Sequence, residues 1–290
     1  MTTAEYLAQY IDAFVKPFRA PNTTACYERA ARSLPASVKN TELDQLTGLQ
    51  LQAAINHQAK KHPRAAQLTY TTLHVAMKQA VELGILTRSP MNGCRKPIHT
   101  AARASVLTVD QLSHYIAAAK AEREYPLLLL MATVGLRRGE ALGLRWDRIN
   151  LQTGMVLVDQ QRMRVSGRYV LRPLKSRASK RLLPLPPSVL QELTSLRIRS
   201  MSGFLVDVTP ETLARVHGRV LISAGLPHVT LHGLRHSMAT AAAAQGCPMK
   251  ILQGILGHSK YDLTANLYAD HLSGDAFVPF LADLGMALLG

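Results

Sequence analysis

The stretch MVLVDQQRMRVSGRYVLRPLKSRASKRLLPLP, residues 155–186, sets the fold class. Within it MVLVDQQ, YVLRPL and RLLPLP each read as a short strand, with Gly167 at one turn and SRAS (176–179) at the other. Everything around these strands carries a helical apolar period. The chain is therefore expected to be mainly α with a small antiparallel β-sheet, an α+β protein.

Working outward, LTVDQLSHYIAAA (107–119) offers Thr108 as a helix cap and Gln111 as its capping-box partner. A buried helix should start at Pro126, followed by a turn at Gly135 and another helix through Arg145. After Pro187 the helical period returns and holds almost to the end. The first part of the chain has amphipathic spacing at 3–17, 23–34, 47–60 and 65–83, with Gly84 as a C-cap, and no strand-like alternation. Between the two parts, RSPMNGCRKPIHTAARASV (88–106) has two prolines, a glycine, basic residues and no apolar period. Three segments follow: a helical domain over 1–90, a basic linker over 91–106 lying along a phosphate backbone, and a second domain over 107–290 that ends in a helix.

The composition fits a folded protein that binds a polyanion. It is 47% hydrophobic and 18% charged, which excludes a disordered chain. Lys and Arg number 34 against 19 Asp and Glu, a formal charge of +15, with a pI near 10.1. The excess is present in residues 1–100 and again in 101–290, as expected of two domains gripping one nucleic acid. Cys26, Cys94 and Cys247 are scattered and in no metal-ligand spacing, which argues for a reducing compartment. MTTAEYLAQY lacks the features of a signal peptide, and the apolar run at Tyr125–Leu136 is too short to span a bilayer. The expected setting is the cytoplasm, away from membranes.

Four separated stretches supply polar groups that core packing would not choose. TVGLRRGEALGLRW holds Arg137 just after an apolar helix and a glycine turn. LKSRASKRLLPLP puts Lys175 beside the turn between two strands. LHGLRHSMAT places His232 and Arg235 three apart, on one helix face. LGHSKYDLTANLYADH adds His258 and Tyr268. Singly, each has an ordinary structural reading: a surface arginine, a solvated lysine, a core histidine, a packed tyrosine.

As a set they resemble the catalytic domain of the tyrosine recombinases, the phage-integrase family. GLRRGE at 135–140, a turn lysine at 175, HGLRH at 232–236, LGHS at 256–259 and Tyr268 agree with that family's signature in order and spacing. The resemblance covers about 105 to 271, and residues 1–90 are similar to the family's core-binding, SAM-like DNA-binding domain. It implies a site-specific recombinase or integrase that cuts and rejoins DNA through a 3′-phosphotyrosyl intermediate. The catalytic residues would be Arg137, Lys175, His232, Arg235, His258 and the nucleophile Tyr268. It further implies double-stranded DNA as partner, a homo-tetramer on synapsed sites, accessory DNA-bending proteins, a nucleoid-associated location, and no cofactor, metal or ATP.

The physical chemistry agrees. Attack on a phosphodiester builds negative charge on its non-bridging oxygens, and two guanidinium forks suit that charge. Imidazoles at 232 and 258 can donate hydrogen bonds or carry protons near neutral pH. Lys175 can hand a proton to a departing hydroxyl if neighbouring cations lower its pKa. The Tyr268 phenol, with an ordinary pKa of about 10, is favoured as phenolate among positive charges. No carboxylate cluster for Mg²⁺ is apparent.

Neighbouring residues receive other readings. Arg138 points away from Arg137 on a helix, and Glu140 orients a neighbouring arginine or histidine rather than reacting. Tyr261 reads as packing and His271 as a structural or DNA-backbone contact. The apolar set from Phe277 to Leu289 either packs on its own domain or docks into a neighbouring protomer. The helical segment begins almost at Met1, so the arm-binding domain that many integrases carry is not expected. Two other classes remain open: a type IB topoisomerase-like enzyme, and a non-catalytic DNA-binding regulator on the same scaffold.

Overall fold

In a computed structural model of the chain, the segment that decides the fold class forms strands in two separate antiparallel sheets. The structure describes residues 1–98, 105–165, 167–174, 179–196, 203–257, 285, 286 and 288. Strands β1 (Ile149–Asn150), β2 (Met155–Val158) and β5 (Arg181–Pro184) make one sheet in the order β1-β2-β5. Strands β3 (Gln160–Val165) and β4 (Arg168–Pro173) make a two-stranded hairpin. MVLVDQQ is thus two strands rather than one, broken at Asp159, whose carbonyl accepts from Leu174 N–H at 2.9 Å. In the first sheet Val156 lies opposite Leu183, and both are fully buried. In the second, Gly167 takes φ +84 at the turn, the left-handed conformation glycine adopts without strain.

Contacts divide the chain into two compact units, Met1–Ala102 and Arg103–Gly290. The first is built from α1 (Thr3–Tyr10), which runs on as a π-helical turn to Val15, and from α2 (Pro21–Arg32), α3 (Ala36–Lys39), α4 (Gly48–Lys61) and α5 (Pro63–Glu82). Leu7, Leu51, Ile55, Leu73 and Met77 form its core, and Tyr6 Oη donates to the Ala76 carbonyl at 2.6 Å. The described part of the stretch expected as a linker, 91–98, packs on this unit. Met91 is buried in the core, Gln52 accepts from Arg95 N–H, Gln67 donates to the Pro97 carbonyl, and Tyr70 donates to the Cys94 carbonyl. Residues 99–104 lie outside the described residues.

The second unit surrounds α7 (Tyr125–Thr133), in which all nine residues are buried. A helix apolar on every side must lie at the centre of its domain. Before it, α6 (Val109–Ala119) begins at Thr108 with the expected capping box: Gln111 N–H donates to Thr108 Oγ1, and Thr108 N–H donates to Gln111 Oε1. After it come α8 (Arg138–Gly143), α9 (Pro187–Leu196), α10 (Pro210–Ser223), α11 (Leu231–Ala244) and α12 (Met249–Leu256). Helix α8 stops at Gly143, short of the expected Arg145. A Cβ at 143 would stand 2.8–2.9 Å from the backbone of Gln161 and Arg162, so the β3–β4 hairpin crosses where the helix would continue. Among the described residues no helix is long and apolar enough to cross a membrane.

Candidate active site

The site is assembled where α7 gives way to α8. Gly135 turns the chain with φ +67, the left-handed conformation that favours glycine, and an added Cβ there would press on the Met238 side chain. The turn leaves Arg137 as the N-cap of α8, with an extended backbone. Its backbone N–H donates to Glu140 Oε2 at 2.9 Å, and its Nη1 donates to Glu140 Oε1 at 2.7 Å. A carboxylate at the third position of a helix satisfies end donors and faces the positive end of the helix dipole.

Arg235 reaches the same place from α11. Thr230 caps that helix by accepting from Gly233 N–H at 2.9 Å, which sets His232 in the first turn and Arg235 in the second. Arg235 is 1% exposed. Its Nη1 donates to the Gly135 carbonyl and its Nη2 to the Leu256 carbonyl, each at 2.5 Å. Arg137 Nη2 donates to the next carbonyl, that of Gly257, at 2.8 Å. The two arginines therefore converge on the C-terminus of α12, where Gly257 ends the helix in the left-handed region. Cations are favoured at the negative end of a helix dipole.

A third arginine completes the frame. Arg181, first residue of β5, donates from Nη2 to Glu140 Oε2 at 2.9 Å and from Nη1 to Glu140 Oε1 at 3.3 Å. Its Nε donates to the Ile255 carbonyl at 2.6 Å, and Nη1 also reaches the Ser179 carbonyl at 3.1 Å. Three guanidiniums thus hold three consecutive carbonyls, 255, 256 and 257. Burial alone pushes the Glu140 carboxyl upward, but the hydrogen bond and charge of Arg181, with help from Arg137, outweigh it and hold the pKa below the usual value. Burial, then the charge of Arg137, lowers the Arg235 pKa from 12.5 to about 9, which leaves it cationic at neutral pH.

Among the described residues the cluster is not electrically balanced. One carboxylate faces three guanidiniums, and Arg235 forms no ion pair among the described residues; its partners are carbonyls. A buried excess of positive charge is unfavourable until an anion joins it. Of the five N–H groups on each guanidinium, Arg137 and Arg235 commit two apiece to described partners, which leaves donors for such an anion. On the exposed side of α11, His232 stands with its ring centroid 4.4 Å from that of His236, edge to face. Burial first, and then His236, Arg235 and Arg137, lower the His232 pKa, so the imidazole is neutral at pH 7 and able to take a proton.

Of the six residues the sequence singles out, Arg137, His232 and Arg235 come together here. Lys175, His258 and Tyr268 lie outside the described residues, as do Tyr261 and His271. His258 follows Gly257, the residue whose carbonyl Arg137 holds, by one peptide bond. Glu140 orients an arginine, as expected. Arg181 was missed, although β5 alternates so that Arg181 and Leu183 share the buried face. An arginine at an inward strand position demands a buried carboxylate, and that was the available signal. Among the described residues no group of three or more His, Cys, Asp or Glu could hold a metal.

Residues 105–274 match the model of the phage integrase family. The chain is 26% identical to a tyrosine recombinase XerC-like protein of Caldanaerobacter subterraneus subsp. tengcongensis, over 92% of this chain and 79% of that protein. It is 27% identical to the transposase of transposon Tn916 from Enterococcus faecalis, over 57% of this chain and only 47% of that protein. Among solved structures, the Tn1549 transposon integrase in complex with a circular intermediate DNA superposes with a TM-score of 0.77, at 20% identity, covering 95% of this chain and 97% of the other. A lambda integrase tetramer bound to a Holliday junction superposes with a TM-score of 0.68, at 20% identity, covering 90% and 80%. These two likenesses are likenesses of fold.

Proposed function

The chain belongs to the phage integrase family, the tyrosine recombinases, and from that premise we propose that it cuts and rejoins DNA at specific sites through a covalent link between Tyr268 and a 3′ phosphate. The observation that carries this reading is the convergence of Arg137 and Arg235 on the end of α12, where among the described residues some of their donors and part of their positive charge have no partner.

In the proposed reaction, Arg137 and Arg235 bind the non-bridging oxygens of the scissile phosphate and stabilise the charge that grows there. The Tyr268 oxygen bonds to phosphorus while the bond to the 5′ oxygen breaks. The phenolic proton passes to a neutral imidazole, for which His232 is suited, and Lys175 protonates the departing 5′ oxygen, which leaves as a hydroxyl. His258 is proposed as a further hydrogen-bond donor to the phosphate. The 5′ hydroxyl of another strand then attacks the phosphotyrosine, Tyr268 leaves, and the strand is resealed. One phosphodiester is exchanged for another, so neither ATP nor a metal is required by this scheme.

The excess of basic residues in both parts of the chain supports double-stranded DNA as the partner, with the helical unit as a second grip on it. We propose a tetramer on two synapsed sites, with accessory DNA-bending proteins as further partners; the lambda integrase tetramer on a Holliday junction supports the first of these. A nicked suicide substrate tests the reaction. Wild type should form a covalent adduct that Tyr268→Phe abolishes, and should join strands between two duplexes. Relaxation of a single duplex without joining would favour a topoisomerase, and no adduct at all would favour a binding regulator.

A further inference from the structure

Arg181 matches none of the signature residues, yet its side chain is tied to both halves of the arginine pocket. Four of its five N–H groups are committed, to Glu140 twice and to the carbonyls of Ile255 and Ser179, and the side chain is 5% exposed. It therefore has little left to offer a phosphate. What it does touch is informative. Through Glu140 it meets the carboxylate that orients Arg137, and through Ile255 it holds the carbonyl directly before those bound by Arg235 and Arg137.

We propose that Arg181 is a positioning residue for strand cleavage, which sets Arg137 and Arg235 against the scissile phosphate by sharing Glu140 and anchoring the end of α12. This rests on the reading of Arg137 and Arg235 as a phosphate clamp. Two physical effects follow from the geometry. Sharing Glu140 between two guanidiniums prevents the carboxylate from neutralising Arg137 alone, so Arg137 keeps charge and donors for the substrate. Anchoring Ile255 fixes the next two carbonyls, because consecutive Cα atoms are about 3.8 Å apart and cannot move independently. The same bonds link β5, α8 and α12, three segments far apart in sequence.

A buried ion pair can also be merely structural, so the test must separate the two roles. The full chain would be assayed in single turnover on nicked duplexes whose scissile linkage is either a phosphate or a methylphosphonate. The latter replaces one non-bridging oxygen with a neutral methyl group and so needs the clamp less. Arg181→Lys keeps a cation but loses the fork, and Arg181→Met keeps the volume and removes the charge, which guards against one variant failing to fold. Either variant should slow adduct formation on phosphate by roughly a hundredfold, the scale of a misplaced catalytic group. DNA affinity should be unchanged, and the loss should largely disappear on the methylphosphonate. Equal losses on both linkages, or no loss on phosphate, overturn the proposal. Arg137→Ala is measured alongside: if its own loss persists on the methylphosphonate, the clamp reading itself fails, which is a distinguishable result.

Discussion

Each arginine of the pocket is fixed by main-chain carbonyls, and what remains of its donors decides its chemistry. Among the described residues, Arg137 and Arg235 keep N–H groups without a partner, whereas Arg181 keeps almost none. His232 sits beside them with its pKa lowered by burial first and by His236 next. Its neutral form therefore persists at pH 7 and gives way only as pH falls below the ordinary value of about 6.5. If His232 accepts the phenolic proton, the single-turnover pH–rate profile should have an acidic limb below that value. His236→Gln removes a neighbour that lowers the pKa, so the limb should move to higher pH; an unmoved limb would contradict this pairing. At this scale the sequence was legible where local spacing decides the outcome, as in the first two turns of α11 that carry His232 and Arg235. It was silent on Arg181, because its carboxylate partner is 41 positions away and only the folded chain brings β5 onto α8.

Helices and strands deliver these side chains, and their ends matter more than their middles. Gly143 lets the β3–β4 hairpin cross directly against α8. Gly143→Ala should force the hairpin and helix apart and destabilise the second unit by about 1–3 kcal/mol, measured by urea denaturation; an unchanged midpoint would show that the contact yields freely. A second test concerns α6 and α10, joined by Tyr115 Oη, which donates to His217 Nδ1 at 2.7 Å, while His217 Nε2 donates to the Val229 carbonyl at 2.8 Å. Burial pushes the His217 pKa down, so the folded state holds it neutral. Below about pH 6.5 the unfolded chain binds a proton that the folded chain refuses, and stability must fall as pH drops. Thermal melts at pH 5.5 and 7.5 should show this loss, and His217→Gln should flatten it. Element types were readable from period, but the break at Asp159, the stop at Gly143 and the burial of Met91 were not. Each depends on a partner segment rather than on local pattern.

For the molecule as a whole, the charge of +15 distributed over both parts of the chain governs its dealings with a polyanion. Affinity for duplex DNA should fall by about 10³-fold or more between roughly 50 and 200 mM salt, as for proteins that neutralise several phosphates. Anisotropy titrations at graded salt would check this, and a flat response would contradict it. Charge and the division into two parts were plain in the sequence, since both follow from composition and period. Target sequence was not, because base readout depends on a few side chains in a groove. The central claim is that Tyr268 bonds to a phosphorus held by Arg137 and Arg235. Proteolysis and mass spectrometry of the adduct trapped on a nicked duplex test it most directly. The predicted result is a single peptide carrying nucleotide on Tyr268, absent when Arg137 or Arg235 is replaced by alanine; attachment at Tyr261 or any other residue would contradict it.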